Sequence, residues 1–270
     1  MSEPQAGAGF GRIAVIGAGN MGGAILHGLI KAGTNPSDVV AAEPSAARRE
    51  ALEADLGIGT TADAAEAVEG ADVVLVAVKP QYVVEVLTGL PIRDGALLVS
   101  IAAGVTIATL EAAVPQAHVV RVMPNTAALV GEGMAGLSAG SSATADDLGT
   151  ATALLSTVGR AVVVPESQQD LVVAASGSGI AYLFLVAEAM IEGGVTLGLT
   201  RAQADELVRQ TFAGASAMLA NGEHPTILRE QVTSPGGTTA AALAELDAHG
   251  LRTAILAAMT AARDKSRALG

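Results

Sequence analysis

Gly17-Ala18-Gly19-Asn20-Met21-Gly22 is the first run in the chain whose residue types and spacing could do chemistry. It follows the apolar run Ile13–Ile16 and opens a stretch with helical spacing at Met21, Ile25, Leu29 and Ile30. The pattern G-x-G-x-x-G therefore stands between a strand and a helix, the setting that gives it meaning. There the first glycine permits a tight turn, the second lets backbone approach a diphosphate, and the third lets helix and strand pack closely. The diphosphate would rest on the free N–H groups of the helix start. A glycine-rich turn that binds nothing is the alternative. Glu43 ends the second apolar run, where an acidic side chain can accept from a ribose 2′-hydroxyl. Arg48 and Arg49 lie one turn further and could reach a 2′-phosphate instead, or simply form a solvated helix face. NADPH and NADH both stay open. Lys79-Pro80 follows the apolar run Val73–Val78. Ligands gather at the carboxyl ends of parallel strands, which places Lys79 toward a cofactor, although a lysine that merely ends a strand is as common.

These residues need a scaffold of alternating strands and helices. Strands are expected at Ile13–Ile16, Val39–Ala42, Val73–Val78, Leu97–Val99, His118–Val122 and Ala161–Val164. The unbroken apolar run at Val73–Val78 suits a strand buried on both faces in the middle of a parallel sheet. Helices are expected over Met21–Lys31, over Ser45–Leu56 behind a serine cap, and over Ala145–Val158. The alternation predicts an α/β fold, a Rossmann-type doubly wound sheet. Gly131–Ser142 is rich in Gly and Ser like a linker, but strand signals resume beyond it. Past Pro165 no strand pattern recurs, and Ala/Leu-rich helical patterns such as Arg201–Leu219 run to about Ala268. The expected organisation is a dinucleotide-binding domain over 1–165 and an all-α domain over 166–270.

Composition narrows the function classes. Of 270 residues 50% are hydrophobic but only 2% aromatic, and the mean hydropathy is +0.48, so the apolar mass is aliphatic and can fill a large core. A formal charge of −12 speaks against a nucleic-acid partner. With no cysteine there is no disulfide framework and no thiolate metal site. No stretch is read as approaching the uncharged run of about 18 residues a spanning helix needs, since Leu171–Leu199 carries Glu188, Glu192 and several glycines. The surplus hydrophobicity is assigned to subunit interfaces. Met1–Gly9 reads as a loose leader without the basic start of a secretory signal, and a cytoplasmic protein is expected.

In the second half, Ser234-Pro235-Gly236-Gly237-Thr238-Thr239 precedes the helical run Ala240–Ala248. Consecutive N–H donors entering a helix suit a carboxylate, and the Thr239 hydroxyl can add one more hydrogen bond. A similar loop, Ser176-Gly177-Ser178-Gly179, enters the helix of Tyr182 and Phe184. On physics alone each is also a plain helix cap. His27, His118, His224 and His249 have no metal-ligand spacing and read as surface or capping residues.

Taken in order, Gly17–Gly22, Ala77–Pro80, Ser100–Ile107, Arg121–Thr126, Ser176–Tyr182, Gln210-Thr211 and Ser234–Thr239 resemble the pyrroline-5-carboxylate reductase family over essentially the whole chain, Ile13–Leu269. The resemblance implies a Rossmann domain followed by a helical domain that interlocks with a partner subunit in an obligate homodimer, with further assembly, such as a decamer, left open. It implies a substrate site at the dimer interface and hydride transfer from NADPH or NADH to the C=N bond of a cyclic imine acid, giving L-proline. By the same resemblance Gly17, Gly19, Asn20, Met21, Ala77, Val78, Lys79, Pro80, Ile101, Ala102 and Ala103 contact the cofactor. Ser234, Gly236, Gly237 and Thr238 hold the substrate carboxylate, and Thr239 hydrogen-bonds the ring nitrogen as the catalytic residue. Ile180 departs from the family, which usually has proline there, and bears on substrate identity; Ala127 is a second, lesser departure. Two alternatives remain: a related Rossmann reductase for larger imines or 3-hydroxy acids, for which Lys265 is the only lysine in the helical half, and a non-catalytic NAD(H)-sensing module.

Overall fold

A computed structural model describes residues 9–269, so the leader read over Met1–Gly9 falls almost wholly outside the described residues. The described residues divide into two compact units, one running to Ser178 and resuming from Ala262, the other Gly179–Ala261.

In the first unit the elements follow as β1 (Ile13–Ile16), α1 (Asn20–Lys31), β2 (Val39–Ala42), α2 (Ala46–Leu56), β3 (Gly59–Thr61), α3 (Ala64–Val68) and β4 (Val73–Val76). Then come α4 (Val83–Leu87), β5 (Leu97–Ser100), α5 (Ile107–Ala113), β6 (His118–Met123), β7 (Gly133–Ala139), α6 (Ala145–Ser156), β8 (Gly159–Val163) and α7 (Gln169–Val172). The strands form one sheet in the order β3-β2-β1-β4-β5-β6-β7-β8. The first six are parallel in the doubly wound order 3-2-1-4-5-6. β7 then runs antiparallel to β6, and β8 lies parallel to β7.

Successive side chains of a strand point to opposite faces, which is why short all-apolar strands suffice. Ile13 and Val15 join Ile25, Leu26 and Leu29 of α1 on one face, with Leu154 and Leu155 of α6. Ala14 and Ile16 join Val74, Val76 and Leu110 on the other. Helices thus cover both faces of the sheet, as a parallel sheet requires.

Several sequence expectations change in detail. β3 and β7 appear where no strand was expected: β3 is short and polar, and β7 has the glycine-rich composition of a linker but is held between β6 and β8. Ser45 sits at the N-cap of α2, yet its side chain makes no capping bond. The expected Ser176–Gly179 loop is a π-helical turn over Val173–Gly177 that leads into the next helix, α8 (Gly179–Thr196). Asn125 ties that turn to the end of β6, donating from Nδ2 to the Ser176 hydroxyl at 2.9 Å.

α6 shows how polar side chains set an element's start. The Thr144 hydroxyl accepts from the Asp147 N–H at 3.2 Å, and the Asp147 carboxylate accepts from the Thr144 N–H at 2.7 Å. His118 Nδ1 lies 2.8 Å from the same carboxylate. Burial pushes the Asp147 carboxyl up, but the Thr144 N–H and hydroxyl and then His118 outweigh it, so the group sits below its ordinary value. A carboxylate whose folded pKa is depressed adds stability above its unfolded pKa and loses it as the pH falls through the folded one. Asp147→Ala is therefore expected to cost about 1 kcal/mol at neutral pH. That cost should shrink in acid, where the native carboxyl is protonated as well, and urea melts of both proteins across pH 2–7 check it.

The second unit contains α8, α9 (Arg201–Ala220), α10 (Pro225–Gln231), α11 (Thr238–Ala248) and most of α12 (Leu251–Arg267). Its only buried apolar side chains are Ala204 and Val208, while Phe184 is 69% and Leu185 65% exposed. The last turns of α12 belong to the first unit, where the Ser266 hydroxyl donates to Asp170 at 2.7 Å and Arg267 pairs with the same carboxylate.

The absence of a membrane-length apolar run has to be corrected. No charged residue occurs from Leu171 to Ala187. The helical run Glu166–Thr196 is long and apolar enough by length and composition to cross a membrane, with a mean hydropathy of 1.7 in its richest window. A π turn interrupts it at Val173–Gly177.

Candidate active site

The register of the sheet brings the candidate nucleotide residues to one edge. Ile16 pairs with Ala42 and with Val76, and Val76 pairs with Ser100, so β1, β2, β4 and β5 end level. Gly17, Glu43, Ala77 and Ile101 are the residues that leave those strands. The Gly17 N–H donates to Ala42, the Ala77 N–H to Ile16 and the Ile101 N–H to Val76, at 2.8 to 3.0 Å. Val78 and Lys79 follow on the way to a 3₁₀ turn opened by Pro80, and Lys79 is exposed. Ala102 and Ala103 continue the turn after β5, and Ala102 is buried.

The start of α1 is shaped for an anion. Gly19 holds the N-cap position with no side-chain cap, and a side chain there would meet open space. The N–H groups of Asn20 and Met21 thus open the helix without a protein side chain over them, as a bound diphosphate needs. Gly17 has φ of +92°, and a Cβ on it would lie 3.0 Å from Val78. Gly22 has no room for a Cβ, which would overlap the Gly17 carbonyl oxygen. These glycines fit the nucleotide role on their own geometry. A groove of about 670 Å³ starts at Ala18, Gly19 and Asn20 and runs beside α1 past Arg48 toward Leu129 and Val130.

Glu43 is 6% exposed, and its carboxylate accepts from the Ala18 N–H at 3.2 Å and the Ser45 N–H at 3.1 Å. The sequence placed Glu43 near the nucleotide but carried no sign that it braces the fingerprint turn. A second network was not anticipated either. Arg121 on β6 pairs with Glu166 at 2.9 Å, and the same Glu166 oxygen accepts from the Ile107 N–H at 2.7 Å. Glu166 so anchors the start of α5, directly after the turn that holds Ile101, Ala102 and Ala103.

In the second unit, Gly236 has φ of +70° and turns the chain into Gly237, the N-cap of α11. No side chain caps that helix either. Thr238 and Thr239 are its first two residues; Ser234 and Thr238 are exposed and Thr239 is half-buried. The histidines have local partners: His27 bonds Asp55, His118 bonds Asp147, and His224 caps α10 through the Thr226 N–H. Among the described residues no group of three or more His, Asp or Glu could hold a metal ion.

Comparison with known proteins decides the family. The chain is 46% identical to the pyrroline-5-carboxylate reductase of Corynebacterium melassecola over 96% of its own length and 98% of the relative's. It belongs to the pyrroline-5-carboxylate reductase family. A pyrroline-5-carboxylate reductase of Mycobacterium tuberculosis is 44% identical, with 97% of each chain covered. The family model for pyrroline-5-carboxylate reductase dimerisation matches residues 166–269, and one described as NADP oxidoreductase coenzyme F420-dependent matches residues 12–104. Among solved structures, the pyrroline-5-carboxylate reductase of Coxiella burnetii superposes with a TM-score of 0.93 at 36% identity, covering 97% of this chain and 99% of that one. A Plasmodium falciparum pyrroline carboxylate reductase with NADP bound gives 0.83 at 30% identity, covering 98% and 100%. The dimerisation match covers the unit that leaves its apolar side chains exposed, so a pyrroline-5-carboxylate reductase of this kind has its missing core in a second copy.

Proposed function

We propose that the protein reduces 1-pyrroline-5-carboxylate to L-proline with NADPH or NADH, as a homodimer in the cytoplasm that can assemble further, to a decamer. The observation that carries this reading is the end-to-end likeness to reductases of that name, 46% identity over 96% of the chain. The geometry of each unit supports it.

When bound, the nicotinamide supplies the hydride that reduces the imine carbon. The work of the chain is placement. Gly19, Asn20 and Met21 receive the diphosphate on uncapped N–H groups at the start of α1, and Gly17, its own N–H tied to Ala42, makes the tight turn that brings the backbone up to it. Ala77, Val78, Lys79 and Pro80, with Ile101, Ala102 and Ala103, form the neighbouring turns at the same sheet edge and line the nucleotide. Ser234, Gly236, Gly237 and Thr238 take the substrate carboxylate at the uncapped start of α11. The Thr239 hydroxyl hydrogen-bonds the ring nitrogen and steadies the proton there as the amine forms. A cyclic imine is basic enough to arrive partly protonated, so no strong buried acid is needed and positioning supplies most of the catalysis.

Thr239→Ala is expected to lower turnover about tenfold or more, the value of one well-placed hydrogen bond, while nucleotide binding survives. Near-normal turnover in that variant would sink the assigned role. The reaction itself is tested by following NADPH, then NADH, consumption on addition of 1-pyrroline-5-carboxylate. Rapid loss of either supports the reading. No loss from a folded, nucleotide-binding protein points to a different imine, and Ile180 in the first turn of α8 becomes the residue to exchange for proline.

A further inference from the structure

We propose that Glu43, and not Arg48 or Arg49, sets the nucleotide preference, and that it sets it toward NADH. This rests on the nucleotide role given above to the fingerprint turn. Glu43 leaves β2 beside Gly17, and its carboxylate is held from two sides, by the Ala18 N–H at 3.2 Å and the Ser45 N–H at 3.1 Å. At 6% exposure it has no solvent to swing into when a nucleotide arrives. A carboxylate offers about four lone-pair sites, so it can still accept from a hydroxyl after taking these N–H groups. A ribose 2′-hydroxyl brings a donor. A 2′-phosphate brings only acceptor oxygens and negative charge, and the carboxylate repels it across a partly buried gap where water and salt screen little.

The nearby cations do not reverse this. Arg49 is committed to closing the turn between β2 and α2, donating from Nη1 to the carbonyls of Glu43 at 2.8 Å and Pro44 at 2.9 Å. Of the two arginines in the first turn of α2, Arg48 is the one whose guanidinium makes no hydrogen bond among the described residues and can turn toward a phosphate. Its side chain is 59% exposed, and Nη1 lies 3.9 Å from the Glu43 carboxylate, an ion pair without a hydrogen bond. An exposed arginine in that state offers a weak, screened attraction, which softens the discrimination without inverting it.

The test is direct binding of NADH and of NADPH to the purified full chain, read by the fluorescence of the reduced nicotinamide or by calorimetry, without substrate. The unaltered protein is expected to bind NADH about tenfold or more tightly than NADPH, a like-charge penalty of ordinary size. Glu43→Gln should close or invert that gap by strengthening NADPH binding. Arg48→Ala should weaken NADPH binding several-fold and leave NADH binding unchanged. Equal or tighter binding of NADPH by the unaltered protein overturns the assignment of Glu43 and leaves the proposed reaction standing. Binding of neither nucleotide to a folded chain overturns the assignment together with the nucleotide role of the fingerprint.

Discussion

Exchanging Gly22 for alanine is expected to weaken nucleotide binding by about a hundredfold and to cost about 1–3 kcal/mol of stability. The reason is a single methyl group. A Cβ at this position would overlap the Gly17 carbonyl oxygen and sit 3.1 Å from the Ala77 Cβ. Neither neighbour can yield easily, because Gly17 is tied to Ala42 and Ala77 to Ile16 by backbone hydrogen bonds. The start of α1 must therefore move off the turn, and the Asn20 and Met21 N–H groups move with it. Gly23→Ala is the internal control. Its Cβ would meet only the Ala18 carbonyl oxygen at an ordinary 3.7 Å, and alanine suits a helix better than glycine. Titration of NADH fluorescence and urea melts of both variants decide the matter. Equal affinities in the two would show that close packing of α1 on the turn is not what shapes the anion site.

Placing a charge on α8 should have the other large effect. Phe184→Glu is expected to split the homodimer and lower turnover about a hundredfold or more, with nucleotide binding retained. Phe184 is 69% exposed in one chain, within a unit whose only buried apolar side chains are Ala204 and Val208. Such a unit cannot offset its own ordering entropy, so its apolar side chains must be covered by a second copy. A carboxylate buried there without a partner costs about 3–5 kcal/mol per site, counted twice in a symmetric pair. The first unit keeps its own core on both sheet faces and should still bind nucleotide. Sedimentation velocity beside a binding titration separates the two effects, and a stable, fully active dimer of the variant would refute the role given to this helix.

Much of this arrangement was legible in the residues because it rests on local pattern. The all-apolar strands β1 and β4, the apolar run Leu97–Val99 of β5 and the glycines between β1 and α1 announce themselves through composition and turn chemistry. β7 did not, since Gly133-Met134-Ala135-Gly136 has neither alternation nor branched residues, and its strand character comes from β6 and β8 on either side. The Ser176–Gly179 run looked like a loop because two glycines flank a serine there. The helix nevertheless continues through a π turn, with Asn125, fifty-one positions away, bonded to Ser176. Glu43 illustrates the same limit: spacing put it beside the nucleotide, but only packing brings its carboxylate onto the Ala18 N–H. The three-residue β3 is too short to carry any period.

The clasp between Asp170 and the end of α12 bears on how the molecule is made. The partners of that carboxylate, Ser266 and Arg267, follow it in sequence only after the whole of the second unit. A polypeptide growing from its N-terminus has every strand of the sheet outside the ribosome while those two residues are still being added or remain in the exit tunnel. The first unit can therefore begin to fold early during translation, but it is fastened only once the whole of the second unit has been synthesised in between.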